Sequence, residues 1–478
     1  MKMLINGNYV GSLSGETMEV RAPWDNALLD TVPKACEEDI RLAMEGAALA
    51  QKKWVQIPTS ERAKVILRFI DLVREHFDSL AETLCRDNGK PLTQAKAELS
   101  NLFTAVPAFT EKYKHLYETI IPAGTENGHA RNLQAVLREP VGVVVCIIPF
   151  NFPSNLFCQK TVPALLSGNS AVVLPPSGNP LTIMRLCSLM QEAGLPDGVL
   201  QCVTAPGKAK EAAVTDPHTG LVTLTGSTAT GIHVAKIAAQ NLVSCALELG
   251  GNDPFIVMED ADMSRVISEL FVGRLINAGQ ICCASKRFLI HRSRADEFIE
   301  KAAALLDTLV PGDPMLPETN IGCLINEKAA MEVERQVELT ISQGAVPVRG
   351  GKREGAFFAP TLLSNVTADM DIARSMEVFG PVIPVIVFDT VEEALAIANQ
   401  TEYGLSSCVF TEDHRLALKV VKVLEAGNVI VNGASNLRSF EMPFGGWKKS
   451  GIGTEGVMST FDEMTRKKVV ILKNYELF

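Results

Sequence analysis

The chain has 478 residues, of which 47% are hydrophobic and 21% are charged, and its formal net charge is −10. This length exceeds one ordinary core and predicts a globular protein of two or three domains. No long basic run accompanies the acidic balance, which argues against a nucleic-acid partner.

The eleven cysteines indicate a reducing compartment. Their number is odd, their spacing matches no disulfide framework, and most lie in apolar runs, as Cys146 does in VGVVVCIIPF. The opening MKMLINGNYVG lacks an apolar signal core, and no apolar run is long enough to span a bilayer. We therefore expect a cytoplasmic protein without a membrane partner. The cysteines and the seven histidines show no zinc spacing, so no metal site is predicted.

The N-terminal part predicts a hairpin, a helical block and a small β projection. The Asn-Gly pair at 6–7 is typical of a hairpin turn. Residues 37–105 carry apolar side chains at helical spacing, and the Asn-Gly pair at 88–89 predicts a left-handed helix end. Turn formers fill 119–130, and 132–138 alternates like a strand. The last two stretches together predict a two-stranded projection.

Strands and helices alternate from residue 141 onward. The strand candidates are apolar runs at 141–149, 170–176, 199–205, 221–226 and 246–251. Helices are predicted between the first three runs, at 155–166 and 181–194. This alternation predicts a parallel sheet with helical crossovers.

A similar alternation restarts at 253–260 and runs to about residue 432, which predicts a second α/β domain. The final stretch, 467–478, reads as a lone strand. Such a strand needs an edge to pair with, and the nearest candidate is another subunit.

Two residue types at separate places suggest a two-step chemistry. Cys282 follows Gly279-Gln280-Ile281, and Glu248 lies upstream in Glu-Leu-Gly-Gly. A thiolate attacks an electrophilic carbon, and a carboxylate prepares the water that releases the product. Each residue alone has an ordinary alternative, since an isolated cysteine is usually a small buried hydrophobe and a glutamate at a strand end is usually solvated.

Three further motifs surround this pair in the sequence. Asn151, in Pro-Phe-Asn-Phe-Pro after a buried strand, is a candidate donor to an oxyanion, or else a turn asparagine. The small residues of 226–231, GSTATG, would let a pyrophosphate approach backbone N–H groups, or else form an ordinary βα loop. Glu377 and Phe379 would point the same way on an extended segment, towards a ribose and a nicotinamide.

Together and in this order, PFNFP, GSTATG, ELGG, GQxC, ExFGP and PFGGxKxSGxGxEG resemble the motifs of the aldehyde dehydrogenase superfamily. The resemblance covers nearly the whole chain, from LINGNYV to the terminal strand. It implies an α/β fold with a Rossmann-like cofactor domain at 1–119 and 140–250 and an α/β catalytic domain at 251–432. It also implies a β oligomerisation projection, from 120–139 and 447–478, that makes homodimers or homotetramers.

The resemblance also implies roles for individual residues. Cys282 is the expected nucleophile and Glu248 the expected general base, while Asn151 and the backbone N–H of Cys282 form the oxyanion site and Lys160 supports it. Glu377 and Phe379 are expected to hold the ribose and ring of nicotinamide. The other expected cofactor contacts are Pro149, Phe150, Ser177, Lys208, Gly226, Ser227, Gly231, Leu249 and Gly250.

One departure from the family pattern concerns the choice between NAD and NADP. Many relatives have Lys-Pro-Ser/Ala-Glu after the second strand, whereas this chain has Leu-Pro-Pro-Ser at 174–177. Loss of the carboxylate removes a repulsion against a 2′-phosphate, and loss of the lysine removes an attraction. Lys208 or Lys210 would compensate, so we expect NADP to be usable.

Arg438, just before the Gly-rich motif, is the candidate specificity residue. A guanidinium grips a carboxylate, phosphate or sulfonate with two parallel bonds, and the alternative is a surface arginine. We expect a short aldehyde with an anionic tail, such as succinate semialdehyde or a lactaldehyde relative. Asn155, Lys96 and Asn101 are further candidates at the entrance.

Two other functions fit the same resemblance. Coenzyme A could take the acyl group instead of water, but relatives that do this commonly lack the glutamate that Glu248 matches. A silent binding protein on this fold would be expected to lose Cys282, Glu248 or Asn151, and this chain keeps all three. The adjacent Cys283 is expected to point away from Cys282 and to pack, with a resolving thiol as the alternative.

Overall fold

The computed structural model describes residues 1–475 and has a mixed α/β fold. The strands are β1 (Met3–Ile5), β2 (Asn8–Val10), β3 (Thr17–Arg21), β4 (Leu28–Pro33), β5 (Thr119–Ile121), β6 (Leu133–Pro140), β7 (Val143–Ile147), β8 (Ser170–Leu174), β9 (Leu200–Cys202), β10 (Thr219–Thr225), β11 (Ser244–Glu248), β12 (Asp253–Val257), β13 (Ser285–His291), β14 (Val346–Arg349), β15 (Arg353–Glu354), β16 (Phe357–Phe358), β17 (Thr361–Val366), β18 (Val382–Phe388), β19 (Tyr403–Gly404), β20 (Ser406–Phe410), β21 (Asn428–Val431), β22 (Trp447–Lys448), β23 (Gly451–Ile452) and β24 (Thr465–Leu472).

The helices are α1 (Glu37–Trp54), α2 (Thr59–Glu75), α3 (Phe77–Asn88), α4 (Leu92–Lys114), α5 (Pro153–Leu166), α6 (Leu181–Glu192), α7 (Gly207–Thr215), α8 (Thr228–Ala238), α9 (Met263–Leu270), α10 (Ala295–Leu306), α11 (Glu327–Ser342), α12 (Val391–Asn399), α13 (His414–Val423) and α14 (Ser459–Met464). Shorter helical turns span Ala239–Asn241, Phe271–Leu275, Ile276–Gly279, Arg292–Arg294 and Asp371–Ala373. None of the helices in this part of the chain combines the length and apolar composition that a bilayer crossing requires.

The first sheet has the strand order β2-β1-β9-β8-β7-β10-β11-β23, and β7 to β11 run parallel. The chain moves outward from β7 through β8 to β9, then returns to the other side of β7 for β10 and β11. The strand order therefore reverses between β7 and β10. In open α/β sheets this reversal opens a crevice at the carboxyl ends of the strands, where dinucleotides bind.

The continuous apolar runs of this sheet follow from burial on both faces. Val143 and Val145 of β7 contribute to one hydrophobic core, while Val144 and Cys146 contribute to another. Because successive side chains of a strand point to opposite faces, both faces must be apolar when helices cover both. The predicted parallel sheet with helical crossovers is confirmed.

The second sheet has the order β14-β17-β18-β13-β12-β20-β21, parallel except for the β14–β17 pair. Its central strands again divide their side chains between two cores, so that Phe288 lies in one and Leu289 in the other. The expected second α/β block is confirmed. The segment that contains Cys282 enters β13 of this sheet, and Glu248 ends β11 of the first, so these two candidate residues come from different sheets.

A third sheet, ordered β24-β6-β5, forms the projection. Strand β24 pairs antiparallel with β6 along its whole length, from Thr465 opposite Pro140 to Leu472 opposite Leu133. Strand β24 thus finds a pairing partner within its own chain, whereas its outer edge has no partner strand within residues 1–475, and association of that edge with another subunit stays a prediction. Within the described part of 447–478, β23 joins the first sheet while β24 joins the projection, and residues 476–478 lie outside the described residues.

The local turn predictions are confirmed where their backbone angles can be read. Asn6 and Gly7, between β1 and β2, both have positive φ (52° and 79°), as a two-residue hairpin turn requires. Gly89 ends α3 with φ 85°, and its N–H donates to the carbonyl of Cys85. This turn matters for the site because it directs the next residue, Lys90, into the interior.

Candidate active site

A cavity of about 350 Å³ brings the three central candidates together. Asn151 follows β7, Glu248 ends β11, and Cys282 precedes β13, so the carboxyl ends of two parallel strands meet the start of a strand in the other sheet. The cavity walls are formed by Gln94, Ala97, Glu98, Asn101, Asn151, Phe152, Asn155, Leu156, Gln159, Thr225, Glu248, Ile276, Ile281, Cys282, Cys283, Asn436, Arg438, Phe440, Phe444 and Glu455.

A strained segment presents Cys282 to the cavity. Asn277, Ala278 and Gly279 all lie in the left-handed region, with φ of 52°, 51° and 76°. A Cβ on Gly279 would lie 2.4 Å from the carbonyl oxygen of Gly380, so only glycine fits. Consecutive left-handed residues cost free energy and persist where the surrounding structure enforces them, often at functional sites. The nucleophile segment is thus pressed against the Phe-Gly-Pro turn.

Two neighbours favour the thiolate of Cys282. The Cys283 thiol hydrogen-bonds to Cys282 and lowers its pKa; the ammonium of Lys286 also lowers it, and burial opposes both. Lys286 Nζ lies 2.5 Å from the Cys282 carbonyl oxygen. The expectation that the two adjacent thiols point apart is wrong, since both line the cavity. Lys286 was not predicted, although a lysine near the start of an apolar strand four residues after the nucleophile was a readable signal.

Asn151 is almost fully buried, and its side-chain amide is held near the nucleophile segment. Nδ2 donates to the carbonyl of Gln280 at 3.1 Å. An amide nitrogen has two hydrogens, so a second one remains to donate to an oxyanion. Oδ1 has no hydrogen-bond partner among the residues described. The donor capacity that the sequence assigned to Asn151 is present at the cavity wall.

Glu248 is buried at the end of β11 and carries a carboxyl group that resists ionisation. Burial raises its pKa well above the usual range, and the nearby Glu455 carboxylate raises it further. Within residues 1–475, Oε2 finds no hydrogen-bond partner. Glu248 can accept a proton only in its carboxylate form, so its action as a base depends on the charges around it.

Glu455 organises the cations of the site. Its carboxylate accepts from Lys160 Nζ at 2.7 Å and lies 3.4 Å from Arg438 Nη2. Burial opposes its ionisation, but Lys160 and Arg438 outweigh burial and hold the pKa of Glu455 below its usual value. Lys160 also donates to Thr223 at 3.1 Å. Glu455 lies in the Gly-rich motif, yet the sequence reasoning gave it no role.

Arg438 and Asn155 both reach the cavity, so neither is a plain surface residue. The Arg438 guanidinium stacks on Phe444 with 4.1 Å between the guanidinium carbon and the ring centroid. Its Nε is buried and unpaired within the described chain. Asn101 lines the same wall, whereas Lys96 pairs with Asp78 on the surface.

Glu377, Phe379 and Gly250 lie together beside the nucleophile segment. Glu377 Oε1 accepts from the N–H of Gly251 at 3.2 Å and from Lys286 Nζ at 3.2 Å. A Cβ on Gly250 would lie 2.2 Å from Glu377 Oε2. Phe379 meets Phe150 edge to face, with 5.9 Å between ring centroids. Pro149, next to Phe150, lies at the same carboxyl edge of β7. These residues fit the ribose and ring of a nicotinamide.

The GSTATG loop at 226–231 uses two of its backbone N–H groups within the fold, and its role in binding a cofactor stays a prediction. The N–H of Gly226 donates to the carbonyl of Glu248, and the N–H of Gly231 donates to that of Ser227, so these two donors are not free for a pyrophosphate. Gly231 instead allows α8 to approach Leu249, because a Cβ there would lie 2.4 Å from Leu249 Cδ2. Ser227 is the N-cap of α8 and accepts from Thr230 N.

Lys210, rather than Lys208, reaches the carboxyl end of β8. Lys210 Nζ donates to the carbonyl of Pro175 at 2.8 Å, and burial lowers its pKa to about 8. Lys208 is exposed in the first turn of α7. Ser177 Oγ lies 3.4 Å from the carbonyl oxygen of Ala205 at the same mouth. No group of three metal-ligating side chains occurs in residues 1–475.

Three comparisons agree on the family. The aldehyde dehydrogenase family model matches residues 9–470. The chain is 35% identical to the 3-sulfolactaldehyde dehydrogenase of Priestia aryabhattai, over 98% of this chain and 97% of the relative. It is 35% identical to the NADP(+) succinate-semialdehyde dehydrogenase of Escherichia coli (strain K12), over 95% and 94%.

A solved succinate-semialdehyde dehydrogenase, from Burkholderia pseudomallei, has the same fold. Its TM-score is 0.95 at 34% identity, and the match covers 98% of this chain and 97% of that one. A match of this length and identity, with the motif residues gathered at one cavity, fixes the family. The chain belongs to the aldehyde dehydrogenase family and is an NAD(P)-dependent oxidoreductase that acts on aldehydes.

Proposed function

We propose that the enzyme oxidises a short aldehyde with an anionic tail to the carboxylic acid, through a thioester on Cys282. The observation that carries this proposal is the charge balance of the cavity. Glu455 is ionised between Lys160 and Arg438, while the pKa of Glu248 is raised. Lys160 and Arg438 thus face one readily ionised carboxylate, while burial and Glu455 disfavour ionisation of Glu248, and this excess of cations over carboxylates favours an anionic substrate.

The first half-reaction forms a carbon–sulfur bond. The Cys282 thiolate attacks the aldehyde carbon, and the carbonyl oxygen becomes an oxyanion that accepts from Asn151 Nδ2 and from the backbone N–H of Cys282. Glu377 and Phe379 would hold NAD(P), which would supply the hydride acceptor when bound. Loss of hydride from the former aldehyde carbon leaves the thioester.

The second half-reaction is hydrolysis. Glu248 takes a proton from water, the water oxygen bonds to the acyl carbon, and the carbon–sulfur bond breaks to return the Cys282 thiolate. The presence of Glu248 favours this route over transfer to coenzyme A. Product analysis with and without coenzyme A separates the two. A silent binding protein would be indicated by NAD(P) binding without NAD(P)H formation across an aldehyde panel.

Arg438 is the proposed contact for the tail. Its buried Nε has no partner in the described chain, and its Nη2 lies at the long distance of 3.4 Å from Glu455, so the guanidinium retains donors for a carboxylate or sulfonate. The relatives from Priestia aryabhattai and Escherichia coli are named for aldehydes with a sulfonate and a carboxylate tail. Asn155 and Asn101, on the same wall, are further tail contacts.

The test is Arg438→Met, assayed with succinate semialdehyde and with butanal, a neutral aldehyde of equal chain length. We expect kcat/KM to fall about 10²-fold for the anionic aldehyde and less than about 3-fold for butanal, because a charge-assisted bidentate contact is lost only with the former. Equal losses on both substrates would refute the role of Arg438 in recognising the tail.

We infer that the cofactor site accepts NADP through Lys210. Its ammonium lies at the end of β8, the place where a carboxylate would otherwise hold the adenosine ribose. Lys210→Met keeps the length of the side chain, and we expect it to weaken NADP binding about 10-fold while NAD binding stays constant in calorimetric titrations. The same loss with Lys208→Met instead would assign the phosphate contact to Lys208.

We also propose a cytoplasmic homodimer or homotetramer. Val469, Ile471 and Leu472 of β24 are exposed on the edge of the projection, which suits association with a second copy. A partly buried thiol nucleophile needs a reducing compartment to remain free. Val469→Lys should lower the mass measured by light scattering if this edge is the interface.

A further inference from the structure

A second charged pair, Lys90 and Glu98, is buried beside the cavity and takes no part in the chemistry described above. Lys90 follows the left-handed Gly89 at the end of α3, and Glu98 lies on α4. Their charged groups are 2.5 Å apart, and both side chains are 0% exposed. Burying an ion pair costs so much desolvation that it seldom stabilises more than apolar side chains would. Stability alone therefore does not explain this pair.

The three hydrogens of the Lys90 ammonium all have acceptors. One goes to Glu98, a second goes to the carbonyl oxygen of Asn151 at 2.7 Å, and the third faces the Phe152 ring, whose centroid is 4.2 Å from Nζ. The same Asn151 carbonyl also accepts from Asn277 Nδ2 at 2.9 Å. With two donors on one oxygen, the peptide plane that follows Asn151 is fixed.

Glu98 holds the other end of this short segment. Its Oε1 accepts from the backbone N–H of Ser154 at 2.9 Å and from the Ser154 hydroxyl at 2.5 Å, and the N–H of Asn155 lies 3.4 Å away. These donors belong to the first turn of α5. The pair therefore connects the carbonyl of Asn151 to the helix that begins two residues later, across Phe152 and Pro153.

We propose that the buried Lys90–Glu98 pair is a positioning device, which holds the backbone of Asn151 so that its side-chain amide meets the oxyanion formed on the substrate of Cys282. The inference rests on the proposed role of Asn151. A neutral residue in place of Lys90 would present fewer donors and could not engage Glu98, Asn151 and Phe152 together. The link to Asn277 ties the same carbonyl to the strained segment that carries Cys282, so donor and nucleophile share one support.

The experiment is a double-mutant cycle measured as kcat for a saturating aldehyde. The pair variant is Lys90→Met/Glu98→Gln, which removes both charges of the pair together, and the second axis is Asn151→Ala. Asn151→Ala alone should lower kcat about 10²-fold, as loss of an oxyanion donor does. The pair variant alone should lower kcat about 10-fold or more, because a donor displaced by part of an ångström loses much of its effect.

The variant that combines the pair substitutions with Asn151→Ala distinguishes positioning from a general structural role. If the pair acts through Asn151, adding the pair variant to Asn151→Ala should cost less than about 3-fold further. A loss of 10-fold or more in that background, equal to the loss in the native background, would overturn the proposal. So would a pair variant with native kcat. If Asn151→Ala itself keeps native kcat, the oxyanion role and the positioning inference both fail, but the role of Cys282, tested by Cys282→Ser, does not.

Two further measurements separate positioning from loosened folding. NADP binding to the pair variant, followed by calorimetry, should match the native protein, since the pair touches none of the proposed cofactor residues. Asp39→Asn provides the control for stability, because Asp39 is a buried acid that accepts from Ser12 and Cys36 at the start of α1 and does not line the cavity. It should lower the melting temperature without lowering kcat. If kcat falls together with the melting temperature in both Asp39→Asn and the pair variant, the pair contributes to stability and not to positioning.

Discussion

The strained segment before Cys282 allows a quantitative prediction for Gly279→Ala. The added Cβ would lie 2.4 Å from the carbonyl oxygen of Gly380, where ordinary contact begins near 3.4 Å, so the nucleophile segment and the Phe-Gly-Pro turn must separate by about 1 Å. The positive φ of 76° adds a backbone cost of about 1–2 kcal/mol. A displacement of 1 Å at a reacting group lowers the rate by about 10²-fold. We therefore expect kcat to fall by about two orders of magnitude.

Gly351 offers a matched control. It has the same φ of 76°, but a Cβ there would meet nothing within 4 Å. Gly351→Ala therefore carries the backbone strain without the displacement, and we expect its kcat to stay within about 2-fold of the native value. Single-turnover formation of NAD(P)H, together with the rate of Cys282 alkylation, measures both variants. If Gly279→Ala retains as much activity as Gly351→Ala, then packing against Gly380 does not position the nucleophile.

The remaining predictions concern neighbours of the catalytic pair. Glu455→Gln removes a negative charge that raises the pKa of Glu248, so the ascending limb of the pH–rate profile for thioester hydrolysis should move to lower pH; an unmoved limb would contradict this. Cys283→Ala removes the hydrogen bond that lowers the pKa of Cys282, so alkylation by iodoacetamide should slow near neutral pH and recover at alkaline pH. Gly231→Ala forces Leu249 to move and should lower the free energy of unfolding by about 1–3 kcal/mol in a urea titration, whereas Gly207→Ala, with open space, should not.

The sequence predicted the residues whose positions follow from strand geometry. Asn151 follows shortly after an apolar, β-branched strand, Glu248 ends another strand, and the carboxyl ends of parallel strands meet at one edge. The paired Asn-Gly turns, the helical block and the two α/β units were predictable for the same reason, since their signals are local. Cys282 needed the motif around it, because the left-handed backbone of 277–279 has no clear signal except at Gly279.

Residues defined by distant partners were not predictable in this way. Glu455 acquires its role from Lys160, which is 295 positions away, and Lys90 acquires its role from the carbonyl of Asn151. A charged residue in a sequence reads as exposed unless the tertiary contacts that pair it are known. The partner of the terminal strand was missed for the same reason, because β6 lies more than 300 residues upstream. In the GSTATG loop the sequence pointed to a ligand, and the packing of Gly231 against Leu249 is a further requirement for glycine that the sequence did not reveal.

The charges in the cavity also change between the two half-reactions, and this change affects the ionisation of Glu248. The Cys282 thiolate is one of the charges that raise the pKa of Glu248, and it disappears once sulfur is bonded to the acyl carbon. Before acylation, the thiolate charge adds to burial and to Glu455 in disfavouring the carboxylate form of Glu248. After acylation, the remaining influences of Lys160 and Arg438 favour its ionised form more strongly. The carboxylate form of Glu248, which accepts the proton of water, is therefore favoured more after acylation than before it, because the same cavity holds both groups within reach of each other's charge.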